Sequence, residues 1–174
     1  MFLNYTKVFF VKKSLKKNLN NVKNGAFTND IQKVGLLIDE SHFSEKEALL
    51  AELVSKGIEK KNIKIIVYKD KFNKKETYSC PTFGIDHLNW NGKIAEGFLK
   101  DFVNEKFDLL ISYYDIEKVM LMLVTQNSNA RFKVGFASID KRLNRLMIDT
   151  NVQEYKIFVN ELFKYLKNIK PNTI

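Results

Sequence analysis

Two short runs hold the side chains best suited to chemistry: Asp39, Ser41 and His42 in one, and Ser112, Tyr113, Tyr114 and Asp115 in the other. A carboxylate beside an imidazole can move protons, and hydroxyls can orient a bound group. Each run follows a short apolar stretch, 34–38 (VGLLI) and 109–111 (LLI), that reads as a strand buried on both faces. If those strands are neighbours in a parallel sheet, the two runs face each other where the strand order reverses, the usual ligand position in α/β sheets. Asp39, Ser41, His42, Ser112, Tyr114 and Asp115 are therefore the candidate ligand pocket. Each also has a structural use, with Asp115 capping a helix, the tyrosines burying their rings and His42 solvated.

Phosphate chemistry of the nucleotide-binding kind is not supported. It needs glycines after the first strand, so that the backbone can approach a pyrophosphate at a helix N-terminus. The turn here is Asp39-Glu40-Ser41-His42-Phe43, with two carboxylates and no glycine, and Gly35 lies inside the strand. A second constellation, Cys80 with Asp86 and His87, has the types for a thiol nucleophile, its base and an orienting acid. It falls in the long 69–92 link, where Phe83 and Trp90 can instead pin the loop to the domain. One cysteine excludes an internal disulfide, and with only His42 and His87 beside it no zinc-ligand spacing exists. No metal and no cofactor is implied.

The strongest chemical signal is charge. Residues 1–24 hold Lys7, Lys12, Lys13, Lys16, Lys17 and Lys23 and no acid, while the formal net charge of the whole chain is +9. Val8, Val11, Leu15, Leu19 and Val22 recur at helical spacing opposite the lysines, predicting a basic amphipathic helix that ends at Asn24-Gly25. Lys69, Lys71, Lys74 and Lys75 add a second basic stretch. Both suit phosphates, which makes RNA, above all the ribosome, the expected partner. Two other uses of the first helix stand beside this. It can pack its apolar face on the domain, or lie on an anionic membrane with Phe2, Phe9 and Phe10 inserted.

The elements that position these residues follow from periodicity. The stretch 107–136 (FDLLISYYDIEKVMLMLVTQNSNARFKVGF) reads as strand, helix, strand. Its helix, 116–124, is apolar on nearly every side and needs cover on two, from the first helix, from the last helix through Phe163 and Leu166, or from another protein chain. Ser44-x-x-Glu47 and Thr150-x-x-Gln153 read as capping boxes opening two further helices, with Gly57 stopping the first. A helix is expected over 93–104, and strands over 63–68, 132–136 and 143–148, the last antiparallel to its predecessor across a turn at Asp140-Lys141.

At 174 residues, 45% of them hydrophobic, one core domain is expected over 25–174, preceded by the 1–24 helix. The expected fold is α/β, a three-layer Rossmann-like domain on a mostly parallel sheet of four or five strands, ordered 2-1-3-4 plus the antiparallel edge. No stretch is long and apolar enough to span a bilayer and the N-terminus lacks signal-peptide character, so a soluble cytoplasmic protein is expected.

Two resemblances follow from these residues. Leu88-Asn89-Trp90-Asn91-Gly92-Lys93, Phe107-Asp108-Leu109-Leu110-Ile111, Ala130-Arg131-Phe132-Lys133-Val134-Gly135-Phe136 and Leu146-Met147-Ile148-Asp149 together resemble an uncharacterised family of short, lysine-rich bacterial proteins. The 107–136 unit is similar to the N-terminal half of heptosyltransferase-type glycosyltransferases. That likeness implies scaffold and transfers no catalytic residue. The overall expectation is a non-enzymatic RNA-binding protein; the alternatives are a small-molecule or enzymatic site at the strand ends and a peripheral membrane protein.

Overall fold

The computed structural model describes residues 2–19, 31–89, 93–94 and 97–168. Six parallel strands form one sheet in the order β3-β2-β1-β4-β5-β6: β1 (Val34–Asp39), β2 (Ile63–Tyr68), β3 (Thr82–Phe83), β4 (Leu109–Tyr113), β5 (Phe132–Phe136) and β6 (Leu146–Ile148). The central order is the one expected, with β1 between β2 and β4 and β5 beyond. Inside β1, a Cβ on Gly35 would lie 2.8 Å from the Phe107 ring, so glycine is there to admit that ring. Among the described residues four α-helices flank the sheet, α2 (Lys46–Ser55), α3 (Phe98–Asn104), α4 (Val119–Asn127) and α5 (Tyr155–Asn168), and a fifth, α1 (Phe2–Asn18), lies outside α4.

Two cores result, one on each face. Val34, Leu36, Ile38, Leu109, Ile111, Phe132 and Val134 turn toward α2 and α5, whose Leu49, Leu53, Phe158 and Leu162 meet them. Leu37, Ile66, Leu110 and Tyr114 turn the other way, onto α3 and α4. Residues 119–125 of α4 are all buried, as a helix apolar all round demands. Its outer cover is α1, whose Leu15 and Leu19 enter that core with Val8 and Val11 packed against it. Phe163 and Leu166 of α5 lie on the opposite face and cover nothing of α4.

Several boundaries differ from expectation. The last strand is parallel to β5, not antiparallel, and spans three residues rather than six. The turn at Asp140 does form, with Leu143 N–H donating to Asp140 O at 3.0 Å. It belongs to a crossover, because Ile139 and Leu143 bury themselves on the α4 face before the chain returns to the sheet. The sheet gains a strand the sequence hid, β3, in the 69–92 link. Phe83 is fully buried there, 5.4 Å from the Tyr68 ring, so it does pin the loop, whereas Trp90 lies outside the described residues.

None of the three expected side-chain caps forms. α2 begins after Glu45 rather than Ser44, α4 begins after Lys118 rather than Asp115, and α5 begins at Tyr155, past Thr150, after a turn in which Asn151 Oδ1 accepts the Gln153 N–H at 2.9 Å. The expected stop at Gly57 is real. Gly57 takes φ +102°, its N–H donates to Val54 O at 2.9 Å and the Ile58 N–H to Leu53 O at 3.4 Å, the Schellman pattern that only glycine enters without strain. α3 starts at Phe98, later than the 93 expected. The expected end of the first helix at Asn24-Gly25, with Val22, lies outside the described residues.

Candidate functional site

β1 and β4 bring the two candidate runs to the same edge of the sheet, and the protein's own side chains occupy the crevice between them. Asp39, 2% exposed, points to the α4 side. Its Oδ1 accepts the Ser41 N–H at 3.1 Å, and its Oδ2 lies 2.7 Å from Lys118 Nζ, an ion pair too oblique to be a hydrogen bond. The same ammonium donates to Asp70 Oδ2 at 2.7 Å and sits 5.2 Å from the centre of the Tyr68 ring. Ser41 Oγ accepts the Asp70 N–H at 2.8 Å. Burial alone would raise the Asp70 pKa, but the Lys118 hydrogen bond and charge hold it below the ordinary carboxylate value. One lysine thus bridges two carboxylates from two strand ends.

The remaining pocket candidates are occupied elsewhere. Ser112 and Tyr114 are fully buried and share Thr125 Oγ1, at 3.2 and 2.9 Å. Burial drives the Tyr114 hydroxyl pKa well above normal, as a neutral partner within a sealed network requires. Tyr113 turns to the opposite face and donates to Val152 O at 2.6 Å. His42 is exposed, and its carbonyl accepts from Gln153 Nε2 at 2.9 Å. Asp115 is half-buried, and its carbonyl accepts from Ser138 Oγ. Among the described residues no hydrogen bond or ion pair joins Asp39, His42 and Asp115.

The Cys80, Asp86 and His87 constellation is not assembled either. His87 Nδ1 accepts the Gly84 N–H at 3.3 Å, and its ring lies 5.0 Å from Phe72 and 5.9 Å from Phe98. Burial lowers its pKa. No hydrogen bond links it to Cys80. Among the described residues no group of three or more His, Cys, Asp or Glu side chains could hold a metal ion, and no helix is long and apolar enough to cross a membrane.

The lysines divide into held and free. Lys12 Nζ donates to Glu117 O at 2.7 Å, and Lys16 Nζ lies 2.5 Å from Glu117 Oε2. Lys69 pairs with Glu40 at 3.0 Å, and Glu40 also holds Lys46 at 2.7 Å. Those two hydrogen bonds outweigh burial and lower the Glu40 pKa. Lys13 and Lys17 face outward on α1, and Lys71, Lys74 and Lys75 are exposed on the loop after β2, none of them paired with a carboxylate among the described residues. Lys7 falls within α1, and Lys23 lies outside the described residues. The two basic stretches meet at one place, because Glu117 holds α1 while the next residue, Lys118, holds Asp70, immediately before Lys71.

A family model matches residues 7–169. The chain belongs to this family of unknown function (DUF6913). The match takes in most of α1 as well as the whole sheet, so the basic helix is part of the body the DUF6913 family shares. No curated protein and no solved structure matches the chain.

Sequence reasoning missed Lys118, Asp70, Glu117 and Lys133. Lys133 carried a readable signal, since it is the one charged residue in an otherwise apolar strand. It is 6% exposed and donates to the carbonyls of Thr125 and Gln126 at 2.6 and 3.2 Å, satisfying the end of α4 where the helix dipole favours a cation.

Proposed function

We propose that the chain is a non-enzymatic RNA-binding protein, with the ribosome as the first partner to test. One observation carries this reading: Lys13, Lys17, Lys71, Lys74 and Lys75 are exposed, pair with no carboxylate among the described residues, and come from two segments joined through Glu117 and Lys118. Exposed lysines lacking carboxylate neighbours repel one another and gain most from a polyanion. An RNA ligand implies a cytoplasmic location.

The strand-end alternative, a small-molecule or enzymatic site on Asp39, His42 and Asp115, would require Lys118 to leave both Asp39 and Asp70. The likeness to heptosyltransferase-type enzymes concerns scaffold and adds no catalytic residue to this reading. The membrane alternative is weakened because Val8, Val11, Leu15 and Leu19 pack on the domain rather than on lipid.

The test is titration of purified ribosomes or total RNA with the full chain over a range of salt. If five lysines each neutralise a phosphate, the log-log salt slope is about −4. Lys13→Gln with Lys17→Gln, and separately the three loop lysines changed to Gln, should each weaken binding and flatten the slope by about one unit per lysine. Binding that neither set alters would rule the reading out.

A further inference from the structure

We infer that the RNA is single-stranded and that its unpaired bases stack on Phe9 and Phe10. This rests on the RNA reading above and names its substrate class. Phe9 and Phe10 are 62% and 66% exposed, the two most exposed large apolar side chains among the described residues. Their rings meet edge to face, 5.8 Å apart at 77°, which leaves ring face open to solvent. The core does not take them up, because the inward side of residues 8–19 is formed by Val8, Val11, Leu15 and Leu19.

The neighbours of the rings decide what they meet. Phe9, Lys13 and Lys17 lie at i, i+4 and i+8, one outward row with steps of about 6 Å along the helix. Two adjacent aromatic rings followed along the helix by unpaired ammonium groups, with no carboxylate on α1, suit the grip on a single strand, rings taking base faces and lysines taking phosphates. A duplex hides its base faces in the stack, and A-form RNA is read through its backbone and 2′-hydroxyls, so exposed rings gain nothing there. A lipid surface needs a continuous apolar face. Among the described side chains of α1 the face of Val8, Val11 and Leu15 is buried against the α4 core, leaving Phe9 and Phe10 among lysines.

The experiment compares a short fluorescent oligouridylate with a base-paired RNA hairpin at equal ionic strength, using the full chain. The single strand should bind at least tenfold more tightly. Phe9→Ala with Phe10→Ala should weaken it about tenfold or more without changing the salt slope, because stacking releases no counterions. Both rings are exposed, so the melting temperature should stay put. Phe9→Trp should retain affinity and show fluorescence quenching on binding. Equal affinity for the hairpin, or full affinity in the double alanine variant while Lys13→Gln with Lys17→Gln still weakens binding, overturns stacking and leaves phosphate docking standing. If neither the phenylalanine nor the lysine variants alter binding, both readings fall. Binding to phosphatidylglycerol vesicles that needs the two rings, with no RNA binding, overturns the proposal in favour of a membrane.

Discussion

Lys133 shows how one buried charge can be tolerated and at what cost. Its ammonium closes the carboxyl end of α4, yet burial pushes its pKa down to about 8, from 10.5. Between those values the unfolded chain binds more protons than the folded one, so this group's contribution to stability rises with pH from about 8 toward 10.5, and is flat below. The buried tyrosines act in the opposite direction near the top of that range, because their raised pKa values keep them neutral while unfolded tyrosines ionise. Comparison with Lys133→Met cancels them. Urea unfolding at pH 7.5 and 9.5 should show wild type gaining about 1 to 2 kcal/mol relative to the variant; a constant gap would mean that the lysine titrates normally. Glu117 is the reverse case, a carboxylate that pairs with both Lys12 and Lys16 while its Oε1 accepts the Asp140 N–H at 3.1 Å. Glu117→Gln should therefore lower stability by about 1 kcal/mol and tighten RNA binding with a steeper salt slope. RNA affinity that falls in this variant would exclude the two lysines from the interface.

At the scale of elements, α1 has two sides with separate duties. Its inner side is core, and Leu15, 7% exposed, should cost about 2 to 5 kcal/mol when changed to Ala. Deleting residues 1–19 should lower the melting temperature and make the chain self-associate, because the outer side of α4 would be bare. An unchanged melting temperature would mean that α1 is not the cover. The 139–145 crossover fastens the far end of the helix, with the Arg142 guanidinium donating to Leu19 O at 3.4 Å and twice to the Asp140 carboxylate, which also accepts the Arg142 N–H. That hydrogen-bonded pairing, more than charge at a distance, draws the Asp140 pKa down to about 2 from 3.8. The stability it supplies is complete above about pH 4 and is lost as the pH falls through 2. Asp140→Asn should thus unfold at a higher pH than wild type during acid titration, and identical acid midpoints would refute the clasp.

At the scale of the molecule, the topological switch point acts as a junction rather than an open mouth. Asp39 from β1, Asp70 after β2 and Lys118 before α4 tie three segments together, with Asp39 nearly inaccessible. Lys118→Met leaves that carboxylate buried without its cation and should cost about 3 to 5 kcal/mol. RNA affinity measured at a temperature where the variant is folded should fall less than it does when the three loop lysines are changed, because those lysines remain. A variant of normal stability that lost binding would instead make the junction a ligand site. An open groove of about 430 Å³ lies away from it, near Gly57 and Leu166.

Local pattern alone determined the alternation of strand and helix, the glycine stop at 57 and the need of α4 for cover on two sides. Each of these depends on side-chain periodicity or on one residue's backbone freedom, which neighbours in sequence express directly. Tertiary structure alone decided which element supplied that cover, because the apolar stripe of α1 fits α4 no differently from any other greasy surface until the chain path brings them together. It also decided the direction of β6, since burying Ile139 and Leu143 turned an expected hairpin into a crossover. The division of the lysines was equally hidden. Lys12 and Lys13 are neighbours of identical type, yet one is held by Glu117, 105 residues away along the chain, and the other stands free. Charge is written in the sequence, but its compensation depends on distances that only the fold sets.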